Sequence, residues 1–160
     1  MYRADILADS ISPSGSRLTT MKITFPRIML AEMNTHRVFS RNSASSRAIP
    51  FKKMVRMAQE NPFIPIAWQK DHKGMQGNEY ITDPEHIQDC INSWLEARDY
   101  AVHKSSELNV DGGVTKQLCN RLLEPFMWHT IIVSSTEFSN FFQLRCPQYT
   151  IDLENLDSLK

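Results

Sequence analysis

Residues 35–47 have the sequence Thr35-His36-Arg37-Val38-Phe39-Ser40-Arg41-Asn42-Ser43-Ala44-Ser45-Ser46-Arg47. This run holds three guanidiniums, one imidazole and one amide among its hydroxyl groups, and it contains no carboxylate. Arginine guanidiniums bind phosphate and carboxylate oxygens in pairs, and serine and asparagine side chains can fix the orientation of such a ligand. The composition of the run therefore predicts an anionic ligand, above all a nucleotide phosphate.

A solvated polar loop is the alternative for this run, because polar clusters between periodic segments are usually loops. Two features favour partial burial: Val38 and Phe39 lie inside the run, and the apolar residues 48–51 follow it directly. Buried donors need acceptors, which a bound anion would supply. A third interpretation also stays open, a small RNA- or DNA-binding module that uses Phe39 and Trp68 as stacking surfaces.

The run resembles the signature of the flavin-dependent thymidylate synthases. In that signature a His-Arg pair is followed by seven residues and then a Ser, as His36-Arg37 and Ser45 are here. The Ser and the Asn inside the gap, and the Arg two places after the final Ser, are also present. Two positions depart from the family pattern, with Thr35 in place of an Arg and Ser43 in place of an acidic residue.

Two later segments resemble the same family and occur in the family's order. Gly113-Val114 precedes an element similar to Arg-x-x-Leu-Pro, which begins at Arg121 and has Glu124 in place of the Leu. Residues 140–145 resemble the family segment Asn-Phe-x-x-Leu-Arg. The chain departs from the family after residue 145, so three interpretations stay open there: truncation, divergence, and an inactive member that still binds nucleotide or flavin.

The resemblance implies an α+β fold in which helices flank an antiparallel sheet, formed by one domain over residues 1–160. It implies reductive methylation of dUMP to dTMP, an activity of a thymidylate synthase that needs FAD. Methylenetetrahydrofolate would donate the carbon, FAD would carry the hydride, and NADPH would reduce the flavin. Family members are homotetramers whose subunits share active sites, so the expected partners are dUMP, folate and further copies of the chain.

The resemblance also implies which residues form the site. The residues on the deoxyuridylate side are Glu32, Ser45, Arg47, Arg121 and Arg145. Arg145 is the expected catalytic residue, because its guanidinium would stabilise negative charge on the pyrimidine ring. The residues on the flavin side are Thr35, His36, Arg37, Ser43 and Asn140. Considered without the family, each arginine could instead form a structural ion pair, and His36 could bond a backbone carbonyl.

Composition limits the remaining classes of function. The chain has 160 residues, 41% of them hydrophobic, and no formal net charge, so neither nucleic acid nor a membrane surface is an expected partner. Its three cysteines are far apart and form no C-x-x-C pair, which disfavours a disulfide framework or a zinc site and predicts a reducing, cytoplasmic location. Cys146 is expected to be a buried, inert thiol rather than a nucleophile.

The hydrophobic pattern predicts strands over residues 2–11 and 16–25, joined by a turn at Ser12-Pro13-Ser14-Gly15. Helices are expected from Pro26 to about Thr35, from Pro50 to about Asn61, and from Asp83 until Asp111-Gly112-Gly113. The stretch 62–83 shows no period. A third apolar face at Val114, Leu118 and Leu122 would end at Pro125, before a buried strand at residues 130–133. Ser134 and Glu137 predict a capping box for a last helix.

Overall fold

A four-stranded antiparallel sheet lies at the centre of this computed structural model, which describes residues 1–74, 77 and 79–145. The strands occur in the spatial order β1-β2-β4-β3. Their bounds are Arg3–Ile11 for β1, Arg17–Pro26 for β2, Ser40–Ser43 for β3 and Trp128–Ser135 for β4. Because β4 pairs with both β2 and β3, it holds the polar run of residues 35–47 against the middle of the sheet.

Among the described residues, five α-helices and three further helical segments accompany the sheet. The α-helices are α1 Leu30–Asn34, α2 Phe51–Glu60, α3 Pro84–Ser106, α4 Lys116–Cys119 and α5 Ser139–Arg145. Arg27–Met29 and Asn120–Phe126 are 3-10 helices, and Glu107–Asp111 is a π-helical turn that extends α3. Within the described residues, no helix combines the length and the apolar character that crossing a bilayer requires.

The hydrophobic core consists of two clusters. The sheet cluster is formed by Phe39, Ile131 and Val133, with side chains of β2, α1 and α5 packed against them. The helical cluster joins α2, α3 and the 3-10 helix Asn120–Phe126 through the buried residues Met54, Ala58, Val102, Leu123 and Met127. Met127 immediately precedes β4, so the two clusters meet where the 3-10 helix leads into the sheet.

Much of the predicted order of elements is confirmed. The first two strands and the turn between them occur within a residue or two of the expected bounds, and Gly15 has a φ of 88° in that turn. The helix predicted after Pro50 is α2, and the long helix begins as expected after Asp83, whose carboxylate accepts a hydrogen bond from His86 N at 2.9 Å. The predicted α+β class, with helices beside an antiparallel sheet, is confirmed.

Four local predictions are wrong. The strand β3 was not expected within the polar run, where it forms because its backbone groups bond β4. Leu118 and Leu122 are exposed, whereas Leu123 is fully buried, so the apolar face lies one residue further along the chain. Pro125 lies inside the 3-10 helix instead of ending the helical segment. The expected capping box is also absent, because Ser135, not Ser134, accepts a hydrogen bond from Glu137 N, at 3.0 Å.

Candidate nucleotide site

The turn at residues 45–48 is fixed by one buried asparagine. Ala48 N donates to Ser45 O at 3.0 Å and closes the turn. Asn120 Nδ2 donates to Ser46 O at 2.7 Å and to Ile49 O at 2.9 Å, from the first residue of the 3-10 helix. Asn120 is completely buried, so these two bonds lie away from water and hold the turn firmly against the 3-10 helix.

Glu124 fixes the same turn from the next turn of the 3-10 helix. Its Oε1 atom accepts a hydrogen bond from Ser46 Oγ and a second bond from Arg27 Nη2 at 3.3 Å. Ser46 is itself buried, with 5% of its surface exposed. We call the bonds of Ser46 to Asn120 and Glu124 the Ser46 bridge. The bridge joins two segments that lie more than seventy residues apart in sequence.

The Ser46 bridge brings three predicted site residues into one region. Ser45 and Arg47 flank Ser46, and Arg121 follows Asn120 directly. Within the described part of the chain, neither Arg47 nor Arg121 forms an ion pair or a side-chain hydrogen bond. Both side chains are exposed. The alternative in which each arginine forms a structural ion pair therefore has no support at Arg47 or Arg121 among the described residues, and both exposed side chains are available to bind a ligand.

A buried histidine adjoins this region. Arg27 Nη1 donates to His129 Nδ1 at 2.8 Å, so the imidazole acts as an acceptor and is neutral. Burial, together with the nearby positive charge of Arg27, lowers the pKa of His129 from 6.5 to about 4. The ring also packs edge-on against Phe25, with the ring centroids 5.8 Å apart. His129 therefore orients Arg27 toward Glu124 and carries no charge at neutral pH.

The predicted flavin-side residues lie at a second location, around His36. The His36 ring contacts Phe39 and Phe141, at centroid separations of 5.6 and 5.0 Å. These three side chains help to line an apolar cavity of about 480 Å³ beside the sheet cluster. Arg41 Nη1 donates to Met33 O at 2.8 Å and thereby ties β3 to α1 beside this cavity.

Of the other predicted residues, the structure places Glu32 in the lining of this cavity, although Glu32 was predicted on the deoxyuridylate side. Glu32 lines the cavity and is exposed, and Thr35 Oγ1 donates to Glu32 O at 2.7 Å. Asn140 is exposed in α5, directly before Phe141. Arg37 and Ser43 are exposed as well. Arg145 ends α5, and its side chain lies outside what the structure describes, as do Cys146 and the divergent C-terminal residues.

The proposed stacking surface for nucleic acid is not available. Phe39 is only 4% exposed and forms part of the sheet cluster. Trp68 is half-buried, and its ring lies edge-on to Trp94 at a centroid separation of 6.3 Å. The interpretation of Phe39 as a base-stacking residue is therefore wrong. Among the residues the structure describes, no group of three His, Cys, Asp or Glu side chains could hold a metal ion.

The sequence analysis did not predict the bridge residues Ser46, Asn120 and Glu124, nor the pair Arg27 and His129 that adjoins the bridge. Among these residues, Glu124 could have been recognised from the sequence, because it places a carboxylate between apolar residues at a position where the resembled family has Leu. Nothing in the sequence links Arg27 to His129, since they meet only through the pairing of β2 with β4.

Comparison with known proteins identifies the fold. No protein-family model and no curated protein matches the chain. Among solved structures, the chain is similar to the UMP/dUMP methylase PolB from Streptomyces cacaoi bound with 5-Br UMP, with a TM-score of 0.62 at 14% identity over 84% of this chain and 71% of that chain. The same methylase bound with 5-Br dUMP gives a TM-score of 0.65 at 14% identity, over 84% of this chain and 72% of that chain.

The neutral state of His129 predicts a pH-dependent stability. Because the folded pKa is about 4 and the ordinary value is 6.5, the unfolded chain binds the proton first as the pH falls. Between pH 7 and pH 4, urea titrations should show the free energy of unfolding falling by about 2 kcal/mol more for the wild type than for His129→Gln. His86→Gln, at an exposed position of α3, should behave as the wild type. Equal pH profiles for His129→Gln and the wild type would contradict this assignment.

Proposed function

We propose that this chain binds a uridine 5′-monophosphate nucleotide and catalyses the reductive methylation of dUMP to dTMP. The Ser46 bridge supports the proposal, because it joins the segment of Ser45 and Arg47 to the segment of Arg121, and neither guanidinium forms an ion pair in the described residues. The similarity of the fold to that of a UMP/dUMP methylase supports the same class of substrate. The sequence resemblance to the flavin-dependent thymidylate synthases supports the type of reaction.

The arginines of this region suit a nucleotide 5′-phosphate. A phosphate monoester carries up to two negative charges near neutral pH, and each guanidinium can donate two parallel hydrogen bonds to its oxygens. Ser45 would add a hydroxyl donor beside Arg47. Because Ser45 is exposed and has no general base bonded to it in the described residues, we assign it to binding and not to nucleophilic attack.

Arg145 is proposed to act on the pyrimidine. Its position at the end of α5 follows directly from the packing of Phe138 and Phe141 on the sheet cluster. A guanidinium at the pyrimidine edge would stabilise the negative charge that spreads over the ring while C5 forms its new bond to carbon.

The residues around His36 fit FAD. The apolar cavity, lined by Phe141 and other apolar side chains, offers surface of the kind that an isoalloxazine ring packs against, and His36 and Glu32 add polar groups to its lining. Arg37 and Asn140 would donate to the cofactor's polar atoms. When bound, FAD would supply the hydride, with methylenetetrahydrofolate as the carbon donor and NADPH as the reductant of the flavin. We propose a homotetramer, since three large ligands exceed what one small chain buries.

Replacing Arg47 tests the phosphate site. Arg47→Ala should weaken dUMP binding by about 1.5–3 kcal/mol, the value of a hydrogen bond to a charged group, or roughly 10- to 150-fold in Kd. Isothermal titration calorimetry measures this directly. Arg56→Ala is the matched control, because Arg56 is exposed on α2 and is paired with Glu60 at 4.0 Å. A dUMP affinity that is the same in Arg47→Ala and in the control would remove Arg47 from the site.

The reaction is tested by tritium release from dUMP labelled at C5. With FAD, methylenetetrahydrofolate and NADPH present, the protein should release tritium, and omitting NADPH should stop the release. The purified protein should also be yellow or become yellow with added FAD. A flavin-loaded protein that releases no tritium would be a nucleotide- or flavin-binding member without activity. A colourless protein that retards oligonucleotides would instead support the nucleic-acid interpretation.

A further inference from the structure

A second cavity lies beside the Ser46 bridge, where Glu124 belongs both to the bridge and to the cavity lining. It encloses about 440 Å³ and is lined by Arg27, Asn34, Arg121 and Glu124 together with apolar side chains from residues 28–31 and Pro125. This volume lies within the range of small-molecule sites. The cavity includes Arg121, which was predicted to bind phosphate, and two charged residues, Arg27 and Glu124, which were not.

The charges in this cavity favour a ligand with one anionic group. Arg27 is neutralised by Glu124, whose Oε1 atom lies 3.3 Å from its Nη2 atom. Arg121 has no ion pair within the described residues, so one positive charge remains without a partner. A second anionic group on the ligand would face the carboxylate of Glu124 and be repelled by it.

Glu124 adds a requirement for a hydrogen-bond donor. Its Oε1 atom is occupied by Ser46 and Arg27, whereas its Oε2 atom has no partner in the described part of the chain. An ionised carboxylate can only accept hydrogen bonds. The Glu124 side chain is partly buried, at 24% exposure, and forms an ion pair with Arg27. The cavity therefore complements a molecule that carries a hydroxyl group close to a phosphate.

We infer that this cavity holds the sugar-phosphate part of the nucleotide, with Arg121 on the phosphate and Glu124 Oε2 accepting a hydrogen bond from a sugar hydroxyl. The inference rests on the proposed function and deepens it: Glu124 makes binding depend on the hydroxyl groups of the sugar. A Leu at this position, as in the family that the sequence resembles, could accept no such bond. The substrate class is a pyrimidine nucleotide with a free sugar hydroxyl, and Glu124 is a determinant of its specificity.

The test compares three nucleotides that differ only in their sugar: UMP, dUMP and 2′,3′-dideoxyuridine 5′-monophosphate. For the wild type, calorimetry should show that loss of the bonded hydroxyl raises Kd about tenfold or more. A loss of affinity from UMP to dUMP would identify the 2′-hydroxyl as the bonded group. A loss from dUMP to the dideoxynucleotide would identify the 3′-hydroxyl. In Glu124→Leu, the three Kd values should agree to within about twofold, because the acceptor is gone.

Two further variants separate hydroxyl recognition from folding. Ser46→Ala keeps the Glu124 carboxylate, so it should weaken all three nucleotides alike and keep the wild-type ratio of Kd values. Glu124→Gln keeps an acceptor oxygen without the charge, so its ratio of Kd values should lie between those of the wild type and Glu124→Leu. This variant keeps the inference testable even if Glu124→Leu does not fold. Wild-type protein that binds all three nucleotides equally well would overturn the inference and leave the proposed function standing. Wild-type protein that binds none of them would overturn both.

Discussion

The arrangement of this site depends on the Ser46 bridge. Arg47 and Arg121 carry like charges and belong to segments far apart in the chain, so nothing in their own chemistry brings them together. Ser46, next to Arg47, joins the two segments: its carbonyl oxygen accepts a hydrogen bond from Asn120, and its hydroxyl donates one to Glu124. Leaving a buried polar group without its hydrogen-bond partner costs about 1–3 kcal/mol of folding free energy. This cost favours the one position of the turn in which both bonds of Ser46 are made.

Glu124 links the bridge to the sheet and to the charge balance of the site. Its carboxylate accepts from both Ser46 and Arg27, and Arg27 in turn donates to the neutral His129 of β4. This partly buried network therefore contains one positive and one negative charge that neutralise each other. The two exposed arginines stay outside the network, and their charge remains available for a ligand. The 3-10 helix that carries Glu124 is fixed from the opposite side by Leu123 in the helical cluster.

Residues whose role is local could be predicted from the sequence, and residues whose role depends on distant partners could not. Asp83 is recognisable as a helix cap because the bond that it makes lies three residues away. The strand β3 was missed because its polar residues, Ser40–Ser43, form a strand only through pairing with β4. The buried face of the 3-10 helix was predicted one residue too early in the chain, because a 3-10 helix has a different period from an α-helix. The family resemblance predicts Ser45, Arg47 and Arg121 as site residues, but it does not predict the bonds that join the segments carrying them.

In our proposal, Arg47 and Arg121 bind the same nucleotide phosphate, because the Ser46 bridge joins the two segments that carry them. A crystal structure of the protein with dUMP tests this most directly. Oxygens of the dUMP phosphate should lie within hydrogen-bonding distance of the guanidiniums of Arg47 and Arg121 from the same chain, with Ser46 still bonded to Glu124. A structure in which dUMP is bound elsewhere, or in which its phosphate contacts neither arginine, would contradict the account.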